Sequence, residues 1–205
     1  MGVDDVINAL AGSPWLLAAL FVLVLGDAFL VILPGETVVT AAAALGASTG
    51  TPPVLAVILI AALAAFLGDA ACFLIGRRVG LDRWAWMRGR RVQSAFTWAR
   101  GRLHGNTAVV VFTARFIPFA RLAVNLTAGA SGLSPARYLG VAAIAASAWA
   151  AYQSVVGAVV GLLVPGGPVV AVLVSIVVAI ALGLAIDLLL TLRTRRREGV
   201  RPRRR

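Results

Sequence analysis

The chain has 205 residues, of which 60% are hydrophobic, and a mean hydropathy of +0.95, whereas soluble domains are typically about 45–50% apolar. This composition excludes a soluble or disordered protein and indicates an all-α, polytopic membrane protein. The net charge is +11, and the arginines cluster beside apolar segments at Arg77–Arg102 and Arg193–Arg205, which is typical of cytoplasmic loops and does not predict a nucleic-acid partner.

The first 48 residues predict three segments, namely an interfacial segment, a membrane span and a re-entrant segment. Apolar residues recur at helical spacing in residues 1–14, so we expect an N-terminal interfacial segment there. The first span is predicted over Trp15–Leu33. The apolar segment Glu36–Ser48 has roughly 13 residues, fewer than the ~20 needed to cross a bilayer. Because Pro34 and Gly35 separate the two, the sequence predicts a break and a re-entrant second segment.

The middle of the chain carries one more span and an amphipathic region. A helix is predicted over Val54–Ile75, ending before the first arginine cluster. In the region Leu81–Leu103, one helical face is marked by Val92, Phe96 and Ala99, while polar residues and arginines lie off it. We expect this region to form a helix on the cytoplasmic membrane surface, where both arginine clusters should attract anionic lipid headgroups.

The second half repeats the order of the first. A short apolar segment, Ala108–Phe119, holds a break at Pro118 and is followed by a polar, small-residue return over Asn125–Ser134. A long span is predicted over Tyr138–Val164, and a last span over Val169–Leu190 precedes the arginine tail.

These elements predict three parts after the interfacial segment, namely a transport core over 15–165, a C-terminal transmembrane helix over 166–192 and a basic cytoplasmic tail over 193–205. Because both arginine clusters should be cytoplasmic, an even number of membrane crossings must separate them. Between the clusters lie the broken segment Ala108–Ser134, which we call the second hairpin, and two spans. If the second hairpin is re-entrant, the two spans supply the two crossings. The same parity places the N-terminus in the cytoplasm, with the first hairpin entering from outside. The predicted fold is an inverted repeat of two re-entrant helical hairpins, each followed by a transmembrane helix.

Two arginines lie in the second hairpin, where a charged side chain costs about 2.5–3.5 kcal/mol on insertion scales. Arg115 and Arg121 are six residues apart, and on a straight helix they could not share a target. A break at Pro118 lets them converge, and the guanidinium fork suits bidentate phosphate binding. The alternative is a structural pair of salt bridges to Asp27, Glu36 or Asp69.

Three acids of the first half of the chain, Asp27, Glu36 and Asp69, lie in or beside its apolar segments. Burial favours the neutral form of Asp27 and Glu36, whereas a nearby arginine favours the charged form, so both could respond to protons; the alternative for Glu36 is an acid that stabilises a helix N-terminus. Asp69, inside a span, could pair with Arg115 or Arg121. The sequence has no zinc constellation, nucleotide-binding loop or nucleophile motif, so we expect neither an enzyme nor a cofactor or metal site.

Together these motifs resemble the DedA family of membrane proteins, which shares its core domain with eukaryotic lipid scramblases. The resemblance covers roughly residues 15 to 165 and rests on three motifs and two further positions. They are Asp27 with Pro34-Gly35-Glu36; Gly68-Asp69, Gly76-Arg77 and Gly80; Arg115-Phe116, Pro118 and Arg121 with a small-residue turn at Gly129; and Trp149 and Gly157.

The resemblance implies two opposed re-entrant hairpins in a bacterial inner membrane and translocation of a lipid, either undecaprenyl phosphate or phosphatidylethanolamine. It links the matching acids to proton dependence. We expect a transporter of a phosphate-bearing lipid in which Arg115 and Arg121 bind the headgroup phosphate, Asp27 and Glu36 respond to protons, and Asp69 holds or releases the arginines. The alternatives are a phospholipid flippase or scramblase, a proton-coupled drug exporter and a non-transporting membrane-organising protein. A homo-oligomer is left open.

Overall fold

The structure is a computed structural model that describes residues 12–30, 35–81, 85–103, 107–115, 118–164, 170–174, 176–178 and 181. All regular secondary structure in these ranges is helical. Pro34, the tail 193–205, and most of the predicted segments 1–14 and 166–192 lie outside the described residues.

Seven α-helices and one 3-10 turn follow one another between Pro14 and Leu163, and the described residues after 169 are also helical. They are α1 (Pro14–Asp27), α2 (Gly35–Thr49), α3 (Val54–Val79), the 3-10 turn (Ala85–Arg88), α4 (Arg90–Leu103), α5 (Thr107–Ala114), α6 (Pro118–Ala130) and α7 (Pro135–Leu163).

Two of these helices, α3 and α7, are long and apolar enough to cross a membrane by their length and composition. They match the spans predicted over Val54–Ile75 and Tyr138–Val164. Helix α3 ends at Val79 and is capped by Gly80, whose φ of 78° lies in the left-handed region that favours glycine.

Helix α1 is shorter than the predicted span, because it ends at Asp27 and not near Leu33. It begins where Ser13 accepts a hydrogen bond from the Trp15 N–H, with proline at the first helical position. At its end the backbone turns, and the Phe29 N–H bonds back to the Gly26 carbonyl at 3.0 Å. Apolar composition alone therefore placed the end of this helix too late.

Helix α6 corrects the predicted polar return over Asn125–Ser134. The chain is helical from Pro118 to Ala130, so only the last part of that segment is a turn. Asn125 is buried and bonded inside the protein, and its polarity therefore does not mark a loop. Helix α5 ends at Ala114 and helix α6 begins at Pro118, the residue at which the sequence predicts a break.

Close backbone contacts between helices are made at glycines. Helix α2 packs mainly against α7, and α6 packs mainly against α3. A Cβ at Gly157 would strike the backbone of Thr40, and one at Gly161 would strike that of Ala44. A Cβ at Gly76 would likewise strike Leu126 of α6. Small residues at these positions let membrane helices approach closely.

Helix α4 has the amphipathic pattern predicted for it, but its apolar face packs on protein. Phe96 is buried in a cluster with Ala123 and Leu126 of α6, while Ser94 and Thr97 on the opposite face are exposed. Because α6 covers Phe96, this part of the apolar face packs on protein, and the location of α4 on the membrane surface stays a prediction.

Candidate functional site

A buried carboxylate on α3 holds the second hairpin. Asp69 is 1% exposed, and its two oxygens accept hydrogen bonds from three side chains. Arg115 Nη2 donates to Oδ2, while Arg121 Nε and Asn125 Nδ2 donate to Oδ1 at 2.9 and 2.8 Å. The two arginines thus converge on one acceptor, as the break between α5 and α6 predicts.

Arg121 also joins this carboxylate to the first hairpin. Its Nη1 donates to Asp27 Oδ2 at 3.0 Å, at the C-terminal end of α1. The first residue of α2, Gly35, lies against Asp27, since a Cβ built on it would be 3.1 Å from Asp27 Cγ. The ends of both hairpins therefore meet at a single network of two arginines and two aspartates, which we call the charged cluster (Asp27, Asp69, Arg115, Arg121).

Helix α7 supplies the aromatic wall of the charged cluster. The guanidinium carbon of Arg115 lies 5.8 Å from the ring centre of Trp149, within cation–π range. The Tyr138 hydroxyl donates to the backbone carbonyl of Asp69 at 3.4 Å, and its ring stacks on Phe73 at 4.3 Å. These contacts fix α7 against the span that carries Asp69.

The arginines keep donors that nothing in the described part of the chain accepts. Both side chains are more than nine-tenths buried, and Nε and Nη1 of Arg115 and Nη2 of Arg121 have no hydrogen-bond partner there. A buried donor left unsatisfied costs about 1–3 kcal/mol, more for a charged group. The cluster is therefore balanced in formal charge but not in hydrogen bonds, and it would gain from an additional acceptor.

Glu36 stands apart from this network. It lies in the first turn of α2, is exposed, and has no hydrogen bond or ion pair to its carboxylate among the described residues. Asp27 and Arg121 are close enough to interact with it electrostatically. Of the salt bridges considered from the sequence, those of Asp27 and Asp69 form, and that of Glu36 does not.

Two of the predicted break residues begin helices, and a third lies inside a helix. Pro118 and Gly35 begin α6 and α2, as expected of chain breaks. Gly129 lies inside α6, against the backbone of Phe73 and Arg77, so the prediction of a turn there is wrong. It is a glycine of helix contact instead, because a Cβ at that position would overlap α3.

Sequence reasoning missed one donor and one aromatic partner of the cluster. Asn125 lies one helical turn after Arg121 and therefore faces the same carboxylate, but this spacing carries information only if the segment is known to be helical. Tyr138 gave no signal, because its partner is a backbone carbonyl on a distant helix. In the described ranges no group of three or more His, Cys, Asp or Glu residues could hold a metal ion.

Comparison with known proteins gives one family and two relatives. The VTT domain matches residues 33–159. Two proteins from Mycobacterium tuberculosis, of strains CDC 1551 / Oshkosh and ATCC 25618 / H37Rv, are described as uncharacterized membrane proteins and are each 30% identical over 134 residues. That match covers 63% of this chain and 58% of each relative, so the chain spans less than two thirds of their length. No solved structure matches.

Proposed function

Because the chain belongs to the VTT-domain (DedA) family of membrane proteins, we propose that it is a lipid transporter whose charged cluster binds the phosphate of a lipid headgroup. Undecaprenyl phosphate in a bacterial inner membrane is the lipid that the resemblance favours. The observation that carries the proposal is that three nitrogens of two buried, convergent arginines have no acceptor within the described ranges.

A phosphate suits these donors for reasons of geometry and charge. Its oxygens can accept from the free nitrogens of Arg115 and Arg121 at once, and charge-assisted bonds of this kind are the strong ones. The arginines are already held by Asp69 and Asp27, so a phosphate must compete with two carboxylates. Protonation of Asp27 would weaken its hold on Arg121 and favour headgroup binding, which gives a route to proton coupling.

The predicted inverted repeat is part of this proposal. Contacts advance in the same direction along α2 and α7, from Thr40 with Gly157 to Ala44 with Gly161. They also advance together along α6 and α3, from Arg121 with Asp69 to Gly129 with Arg77. Helix α2 therefore runs parallel to α7, and α6 runs parallel to α3, so the second helix of each hairpin is parallel to the long helix of the other half. Two oppositely inserted re-entrant hairpins would have this arrangement.

The test is the movement of undecaprenyl phosphate in proteoliposomes by Arg115→Lys and Arg121→Lys variants. Lysine keeps the charge but loses the fork, so each variant should be slower by at least about tenfold, equivalent to ~1.4 kcal/mol. Arg137→Lys is the matched control, because Arg137 is exposed at the start of α7. Folded variants that move the lipid at the parent rate would contradict the proposal. A cationic drug moved in place of the lipid would favour the exporter alternative.

A further inference from the structure

An apolar groove lies between α4 and α6, outside the charged cluster. It is a cavity of about 500 Å³, within the range of roughly 300–1,000 Å³ that is usual for pockets that hold small molecules. The side chains that line it in the described ranges are all apolar, among them Ala95 and Phe96 of α4 and Phe119, Leu122 and Leu126 of α6. The groove therefore offers a ligand hydrocarbon surface and no side-chain hydrogen bond.

Two sides of α6 have opposite chemistry at the same level of the helix. Arg121 and Asn125 donate hydrogen bonds to Asp69 in the charged cluster, whereas Leu122 and Leu126, the residues that directly follow them, line the groove. Consecutive residues of a helix are about 1.5 Å apart along the axis and about 100° apart around it. One stretch of α6 therefore contacts both the charged cluster and the groove.

The two sides favour the two parts of one kind of ligand. On the side of the cluster, Nη2 of Arg121 has no acceptor in the described part of the chain, and such a donor favours an anionic group over a cationic one. On the side of the groove, Phe119 is 75% exposed and Leu122 is half-buried, so apolar surface is open to a hydrocarbon chain. The combination matches an amphipathic molecule with an anionic head.

We propose that the groove between α4 and α6 binds the hydrocarbon chain of the lipid whose phosphate enters the charged cluster. The inference rests on the proposed function for the headgroup and adds the position of the chain. A chain in the bilayer is already out of water, so the groove gains packing contacts and not hydrophobic free energy. Its role is therefore to orient the lipid, so that the phosphate approaches Arg121 along the side of α6.

The test is photo-crosslinking of the full chain in proteoliposomes with a polyprenyl phosphate that carries a diazirine in its hydrocarbon chain. Mass spectrometry of the labelled peptides should place crosslinks in residues 92–96 and 119–126, on the two walls of the groove. An excess of undecaprenyl phosphate should compete with the probe. This measurement on the parent chain tests the groove without depending on the folding of any variant.

A variant that fills the groove gives the second measurement. Ala95→Phe places a ring in the groove, and it should lower both the crosslinking yield and the rate of lipid movement by about tenfold, equivalent to ~1.4 kcal/mol. Ser94→Phe is the matched control, because Ser94 is the neighbouring residue of α4 and is exposed on its other side. The control should match the parent chain in both measurements.

The outcomes separate the groove from the headgroup site. Labels found only on the exposed sides of the long helices, for example at Leu59 and Leu162, would overturn the groove, as would parent yields in Ala95→Phe. If Arg121→Lys still slows lipid movement in that case, the proposed function stands. Groove labelling together with unchanged lipid movement by Arg121→Lys would instead overturn the proposed function. Labelling that falls as the protein-to-lipid ratio rises would assign the groove to a second copy of the chain and overturn the proposal.

Discussion

Asp69 is the residue on which both hairpins depend, because it accepts from Arg115, Arg121 and Asn125 at once. Its side chain is 2% exposed, and it has no access to water that could replace these bonds. Asp27 has one arginine partner and a side chain that is 16% exposed. Both aspartates bind Arg121, but the loss of Asp69 should lower the stability of the protein more than the loss of Asp27.

Replacing each aspartate by asparagine should separate these roles. Asp69→Asn leaves two buried guanidinium groups short of a counter-charge, and removal of one partner from a buried pair costs about 3–5 kcal/mol. Asp27→Asn should cost clearly less, because Arg121 keeps its bond to Asp69. Thermal unfolding of the purified variants in one detergent measures both. Equal melting temperatures for the two variants would show that Asp69 is not the central acceptor.

Some of this site was predictable from the residue pattern. An aspartate inside an apolar helix and two arginines around a proline must find partners at membrane depth, which predicted that Asp69 pairs with the arginines. The pattern does not tell which nitrogens remain free, since that depends on the angles between α3, α6 and α7. The exposed position of Glu36 could not be predicted from the pattern either, because it arises from the bond of Arg121 to Asp27 and not to Glu36.

Among the helices, α2, α3 and α7 lie close to the segments predicted for them, whereas the ends of α1 and α6 do not. Helix α3 follows Pro53 and helix α7 begins at Pro135, and both continue through long, mostly apolar stretches. The ends of α1 and α6 depend on tertiary contacts. Ala28, just after α1, packs against Gly68 of α3, and the Asn125 side chain in α6 donates a hydrogen bond to Asp69. In a membrane protein a polar residue with an internal partner is no evidence for a loop.

The packing of α2 on α7 predicts opposite effects for two glycines of one helix. Gly157→Ala should destabilise the protein, because the new Cβ strikes the Thr40 carbonyl of α2. Gly140→Ala meets no atom within 4 Å and should be neutral or stabilising by up to about 1 kcal/mol through helix propensity. Thermal unfolding of the two variants gives the comparison. A Gly157→Ala variant as stable as Gly140→Ala would exclude the close contact of α2 with α7.

At the scale of the whole molecule, the length of α1 bears on how the chain enters the membrane. Helix α1 has 14 residues, which is about 21 Å at 1.5 Å per residue and short of the ~30 Å hydrocarbon core. At its end Asp27 touches Gly35, the first residue of α2, so the two helices form a hairpin. If this hairpin is re-entrant, as we propose, it returns to the side where it starts, and Ser13 and Thr51 lie on the same face of the membrane.

This arrangement conflicts with a cytoplasmic start of α1, which the arginine parity favours when Trp15–Leu33 is a full span. If the first hairpin enters from outside, Ser13 and Thr51 both face outward, and Ser134, in the turn after α6, faces the cytoplasm. Single cysteines at these exposed or half-exposed positions in a Cys72→Ser background can be labelled with a membrane-impermeant maleimide.

In intact spheroplasts we expect Ser13→Cys and Thr51→Cys to be labelled and Ser134→Cys to react only after permeabilisation. Cys72 is buried, so its replacement removes the background thiol without opening a labelled surface. Labelling of Thr51→Cys from outside with protection of Ser13→Cys would mean that α1 crosses the membrane. The first hairpin would then not be re-entrant, and the opposed arrangement of the two hairpins around the charged cluster would have to be abandoned.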